Sequence, residues 1–136
     1  MVVWGEGLFD NDDAAEWVYE LEEAPDFGVV HAALTAVIEE QGYLRGPQGS
    51  IAIAAAEMVA AARERPGRSI PESVALWVEL NAPGVGDEDV ALALAAVDRV
   101  LDANSELRDL WTASGDPSWL RAVEDLRLRL TSIEPE

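Results

Sequence analysis

The chain contains no cysteine, no lysine and one histidine. Without cysteine there are no disulfides, thiolate nucleophiles, zinc ribbons or iron–sulfur clusters. The single histidine, His31, has Gly28 three residues before it, so the paired Glu-x-x-His motifs of a di-iron bundle are absent. A Ser–His pair would have to use His31, and no serine sits in a Gly-x-Ser-x-Gly elbow. GEG and GVG lack both the glycine spacing and the lysine of a phosphate-binding loop. No apolar run approaches the roughly 18 residues of a membrane span, the longest being Val90 to Val97. The first residues, MVVWGEGLFDNDD, show neither the basic nor the apolar region of a signal peptide. These absences predict a soluble cytoplasmic protein in a reducing compartment.

What is present is acid. The formal net charge is −18 over 136 residues. Residues 1 to 44 hold eleven acids and no arginine, and the remaining 92 hold sixteen acids and all nine arginines. Such a surface repels nucleic acid, anionic lipid and phosphate-rich substrates, and it draws in a basic protein partner. The absence of lysine beside nine arginines and 22 alanines also matches the codon bias of a GC-rich bacterial genome. An acidic, lysine-free surface is equally a known adaptation to salt.

Periodicity predicts helices almost throughout. Ala14, Trp17, Val18 and Leu21 fall at i, i+3, i+4 and i+7 behind a cap at Asp10 or Asn11. After Pro25, Asp26 or Gly28 opens a second helix with Val30, Ala33, Leu34, Val37 and Ile38 on one stripe and Gly42 as its stop. GYLRGPQG reads as a loop, and Ser50 as the cap of IAIAAAEMVAAARER, apolar nearly all round and therefore buried. Pro71 opens ESVALWVEL. Asp87, Glu88 and Asp89 load the start of the predicted longest helix, VALALAAVDRVLDA. Asn104 and Ser105 cap ELRDLW, and Asp116 with Pro117 starts a final helix faced by Leu120, Val123, Leu126 and Leu130. No run alternates as a half-buried strand would. The expected fold is all-α, one domain over residues 1–136: a compact bundle of six or seven helices with two buried central ones.

Several stretches together resemble the family of small bacterial proteins known as domain-of-unknown-function family 4259. They are Trp4-Gly5 with Phe9-Asp10-Asn11-Asp12, Ala14, Ala15 and Trp17; Ala54-Ala55-Ala56-Glu57 with Val59 and Ala60; and Pro71 followed by Trp77. Further on come Ala91, Ala95, Arg99 and Val100, then Ser105-Glu106-Leu107-Arg108, Leu110-Trp111, Trp119, Leu126, Arg129 and Leu130. The resemblance implies a single intact domain and brings no activity, cofactor or catalytic residue to these positions.

The stretch GEGLFDNDDAAEW tests the metal question. A calcium loop started at Asp10 meets Ala14, Ala15 and Leu21 where ligands or the turn glycine belong, and one started at Asp12 meets Ala14 and Trp17. Asp10, Asp12 and Asp13 remain weak candidates for Mg²⁺ or Mn²⁺, while each also suits the positive end of a helix dipole. Glu57 interrupts an apolar helix, where burial would raise its pKa unless a cation pairs with it. It reads either as a tuned general acid or as half of a structural ion pair, with Arg99 the natural partner because it too follows a long apolar run. His31, near Thr35, reads as a histidine at the edge of the core. Four of the five tryptophans fall at core-compatible helical positions, and Trp4, ahead of the first helix, is the candidate binding anchor.

The expectation drawn from these features is a non-catalytic, inhibitor- or immunity-like module. It would bind a basic protein through Trp4, Asp10, Asp12, Asp13, Glu16, Glu20 and Glu23, without a cofactor. The alternatives are a metal-assisted hydrolase built on Asp10, Asp12 and Asp13, with Glu57 as a further carboxylate, and a self-associating structural or regulatory module. Net repulsion opposes a symmetric contact between two acidic copies, and the sequence fixes no oligomeric state.

Overall fold

The computed structural model describes residues 12–23, 27–63, 72–81 and 85–133, apart from the side chains of residues 12–15, 22 and 73. It is all-α, with seven helices among the described residues. They are α1 (Asp12–Glu22), α2 (Gly28–Glu39), α3 (Gly46–Ala62), α4 (Glu72–Asn81), α5 (Asp87–Leu101), α6 (Glu106–Ser114) and α7 (Ser118–Thr131). No helix among these residues is long and apolar enough to cross a membrane.

α3 is the axis of the bundle and packs against every other helix. Its alanines explain why. Ala52, Ala54, Ala55, Ala56 and Ala60 are buried on several sides of the same helix, and their small side chains let neighbouring backbones approach from each direction. α5 is the second central helix, yet only one face is enclosed: Val90, Ala93, Ala96, Val97 and Val100 are buried while Ala91, Ala95 and Asp98 face water. α1 and α2 each lie on α3, and α7 closes the far side through Trp119, Val123, Leu126 and Leu130.

The start of α3 corrects the sequence reading. The helix begins at Gly46, so GPQG is its first turn and not a loop, and Ser50 is buried within it instead of capping it. This makes α3, at 17 residues, longer than the 15-residue α5. Pro47 suits a first turn because its missing N–H would be unpaired there in any case. Arg45, at the cap position, offers no side-chain acceptor. The acceptor comes from another helix: Glu106 Oε1 receives the Gly46 N–H at 2.6 Å.

That bond belongs to a cross-tie between the α2–α3 and α5–α6 connections. Leu44 N–H donates to the Asn104 carbonyl and Glu106 N–H to the Leu44 carbonyl, both at 2.9 Å. Arg99 donates to the carbonyls of Glu40 (3.1 Å), Gly42 (2.6 Å) and Asn104 (3.2 Å). The Tyr43 hydroxyl donates to Asp109 Oδ2 at 2.6 Å. Gly49 lets α3 meet α6, since a Cβ there would stand 2.9 Å from Leu107 Cδ1. Ser105 precedes α6 as expected, but its buried hydroxyl makes no cap bond and has no partner among the described residues. Gly115 ends α6 in the left-handed conformation (φ 73°) that favours glycine.

Two further expected starts are seen, whereas the cap of α1 at Asp10 or Asn11 and Pro71 ahead of α4 lie outside the described residues. Gly86 N–H donates to the Asp89 carboxylate at 3.0 Å at the start of α5. Asp116 Oδ1 accepts the Ser118 N–H at 2.9 Å and the Ser118 hydroxyl at 2.6 Å at the start of α7.

Candidate protein-binding groove

Glu16 and Glu20 on α1, with Glu23 just past its end, recur at i, i+4 and i+7, which stacks them along one edge beside the buried Trp17. All three are exposed. None forms an ion pair among the described residues, and no basic residue occupies the last turn of α1. The pattern works against the helix itself. Like charges at i, i+4 repel by about 0.2–0.5 kcal/mol per pair, and acids at a C-terminus oppose the macrodipole.

Beside this stripe runs a groove of about 630 Å³ between α1 and α2. Trp17, Val29, Ala33 and Ile51 form its apolar lining, with Ala32 small enough to keep it open, and Glu20 and Glu23 stand at its edge. Two acids of the sequence prediction therefore border one apolar concavity. Glu16 lies one turn further back on the same edge. Trp4 and Asp10 lie outside the described residues. Asp12 and Asp13 fall in the first turn of α1, where negative charge favours the helix, and their side chains are outside the described set. Among the described residues no three His, Asp or Glu side chains are grouped to hold a metal ion.

Sequence reasoning missed the rest of the groove. The helical spacing places Ala33 on the stripe of α2, but nothing in the sequence marks Val29, Ala32 and Ile51 as lining a cleft. Val29 and Ile51 are half-buried, and that intermediate exposure of apolar residues is not distinguishable from core edge by periodicity alone.

Glu57 is ion-paired, with a different partner from the one expected. Its carboxylate accepts both terminal nitrogens of Arg129 on α7, at 2.6 and 2.8 Å, and its side chain is 4% exposed. Arg129 also donates from Nε to Asp125 Oδ2 at 2.8 Å. Burial alone would lower the Arg129 pKa, but the hydrogen bonds and charge of Glu57, then of Asp125, outweigh it and raise it. Arg99 is unsuited to the role because the connector carbonyls already take its guanidinium. His31 is more exposed than a core-edge reading implies, its side chain being 61% accessible and its Nδ1 3.7 Å from Asp89 Oδ1. Trp17, Trp77 and Trp119 are buried as core anchors, with Phe27 against Trp77 at 5.0 Å. Trp111 is half-buried and stacks parallel to Trp119 at 6.1 Å.

The sequence matches, over residues 3–122, the family model described as Domain of unknown function (DUF4259). No curated protein and no solved structure matches the chain.

Proposed function

The chain belongs to the DUF4259 family, and we propose that it is a non-catalytic binding module whose acidic N-terminal helices dock a basic segment of a protein partner. The observation behind this reading is the groove between α1 and α2, apolar within and edged by Glu20 and Glu23, whose carboxylates find no internal cation among the described residues. A partner helix or loop with arginine or lysine flanking an apolar anchor matches both features. The anchor is covered by Trp17, Val29 and Ile51, and the cations meet the acidic edge. The same encounter relieves the repulsion built into α1. An inhibitor or immunity-type role follows the same chemistry, because a small acidic domain that covers a basic site neutralises it. The composition suits a bacterial cytoplasm as the compartment.

The test is capture at low salt by the wild-type chain, by a Glu16→Lys, Glu20→Lys, Glu23→Lys variant, and by a Glu124→Lys control on the exposed face of α7. The expected result is a protein retained by wild type and control, lost from the triple variant and released as salt rises. Capture indifferent to the triple reversal would defeat the proposal.

A further inference from the structure

A second concavity lies at the opposite end of the sequence. At the turn from α6 to α7, Trp111, Trp119, Pro117, Leu120 and Arg108 line a cavity of about 260 Å³, with Asp116 in its wall. The volume falls just below the range of roughly 300–1,000 Å³ usual for drug-sized ligands, so it suits a smaller molecule. Its lining is mostly apolar, with a pair of parallel indoles.

Three features give the cavity a preference for positive charge. Asp116 uses only Oδ1 in its bonds to Ser118, and Oδ2 accepts no hydrogen bond among the described residues. The cavity lies at the C-terminus of α6, the negative end of the helix dipole, where the last turn carries no basic residue. Indole faces attract cations through their quadrupole. Of the nearby arginines, Arg108 has its guanidinium tied to the Leu101 carbonyl at the end of α5. Arg121 acts on Asp116 through space without pairing with it. The hydrogen bonds from the Ser118 hydroxyl and then its backbone N–H hold the Asp116 carboxyl below its ordinary range, so the wall stays charged in mildly acidic solution.

We propose that this cavity is a binding site for a small organic ammonium ion with an apolar body, its cation set against the free oxygen of Asp116 and its apolar part on Trp111, Pro117 and Leu120. The site is independent of the α1–α2 groove. It combines the two halves of amine recognition, a carboxylate and an aromatic floor, in a protein whose net charge of −18 concentrates cations at its surface.

Phenethylammonium, the neutral 2-phenylethanol and the anionic 3-phenylpropionate are suitable probes of nearly equal shape. Each is titrated into ¹⁵N-labelled protein while the indole N–H signals of Trp111 and Trp119, assigned with Trp111→Phe and Trp119→Phe, are followed by NMR. The expected result is a saturable shift of both signals with phenethylammonium in the millimolar range. The alcohol should bind about fivefold more weakly, as loss of one exposed ion pair implies, and the anion should not bind. Asp116→Asn keeps an acceptor for Ser118 and removes one charge of many, so it should weaken ammonium binding severalfold toward that of the alcohol while leaving the alcohol unchanged. Thr112→Trp, which fills the cavity, should abolish both. The proposal is overturned by the absence of saturation at about 20 mM phenethylammonium, well above that range. Equal binding of ammonium and alcohol, or unaltered ammonium binding by Asp116→Asn, would overturn it too.

Discussion

α1 and the cross-tied region behind α3 treat charge in opposite ways. In the cross-tie and on α7, charged side chains close on partners within the protein: Glu57 on Arg129, Glu106 on the Gly46 N–H, Asp109 on the Tyr43 hydroxyl, and Arg99 on three carbonyls. Along α1 and just past its end, Glu16, Glu20 and Glu23 face water, with Glu20 and Glu23 at the negative end of the dipole. An acidic composition therefore covers two unrelated uses of the carboxylate. One set holds the fold together, and the other faces outward at a cost to its own helix.

Substitutions should separate the two uses by the sign of their effect on stability. The largest loss is expected at the Glu57–Arg129 pair. Arg129→Met leaves a buried carboxylate without its guanidinium and should cost about 3 kcal/mol in urea unfolding. Adding Glu57→Met should recover much of that loss, since both charges are then gone. Next comes Arg99→Met, which strips three carbonyls of a charged donor and should cost about 2 kcal/mol. Arg99→Lys should restore only part of it, because an ammonium lacks the planar fork that spans the connectors.

On α1 the sign should reverse. Glu20→Arg with Glu23→Arg places bases at a helix C-terminus and ends a like-charge repulsion, so it should raise the thermal midpoint, by an amount equivalent to about 0.5 kcal/mol. A fall in stability would show that these carboxylates have structural partners after all. A gain of similar size is expected from Ser105→Ala by calorimetry, about 0.5 kcal/mol, because the buried hydroxyl makes no cap bond to lose. A conventional N-cap serine would instead cost about 1 kcal/mol on replacement.

The smallest effect is confined to high pH. Asp109, by accepting the phenolic hydrogen bond, pushes the Tyr43 pKa up to about 12, helped by burial and by the charges of Asp109 and Glu106. The protonated phenol is favoured in the folded state. Its contribution is whole below the ordinary tyrosine pKa of 10.0 and is lost as pH rises through about 12. Ultraviolet titration of tyrosinate should show this late phase, and Tyr43→Phe should remove it.

The fold was legible in the sequence because its signals are local. Apolar residues at a 3.6 spacing, the acids before Val90, Asp116 ahead of Pro117 and the all-round apolar text of α3 each act within a turn or two. The reading failed where the determining residue is distant. In GPQG only Pro47 hints at a helix start, and no local side chain caps it, because the acceptor for Gly46 is Glu106, sixty residues away. Glu57 demanded a cation, but the choice between Arg99 and Arg129 depends on which helix places its arginine beside α3. Arg129 did carry a clue, since it precedes buried Leu130 and follows buried Leu126 by three residues. Of the candidate site, the acidic edge could be read from α1 alone. Its apolar lining could not, because that comes from three helices.

The tie between Leu44 and Ser105 also bears on the order in which the chain assembles. Pairing these connectors closes about sixty residues of chain, a cost in loop entropy that adjacent helices avoid. The first turn of α3 draws its N-terminal acceptor from α6, so the central helix is left with a frayed end until α6 arrives. α6 in turn docks on α3, α5 and α7, and has little to hold it until they are in place. Closure of this clasp is therefore expected late in assembly. Once shut, it makes the opening of α6 and the fraying of α3 a single event, so amide hydrogens at Leu44, Gly46 and Glu106 should exchange with solvent together, though they lie far apart in the chain.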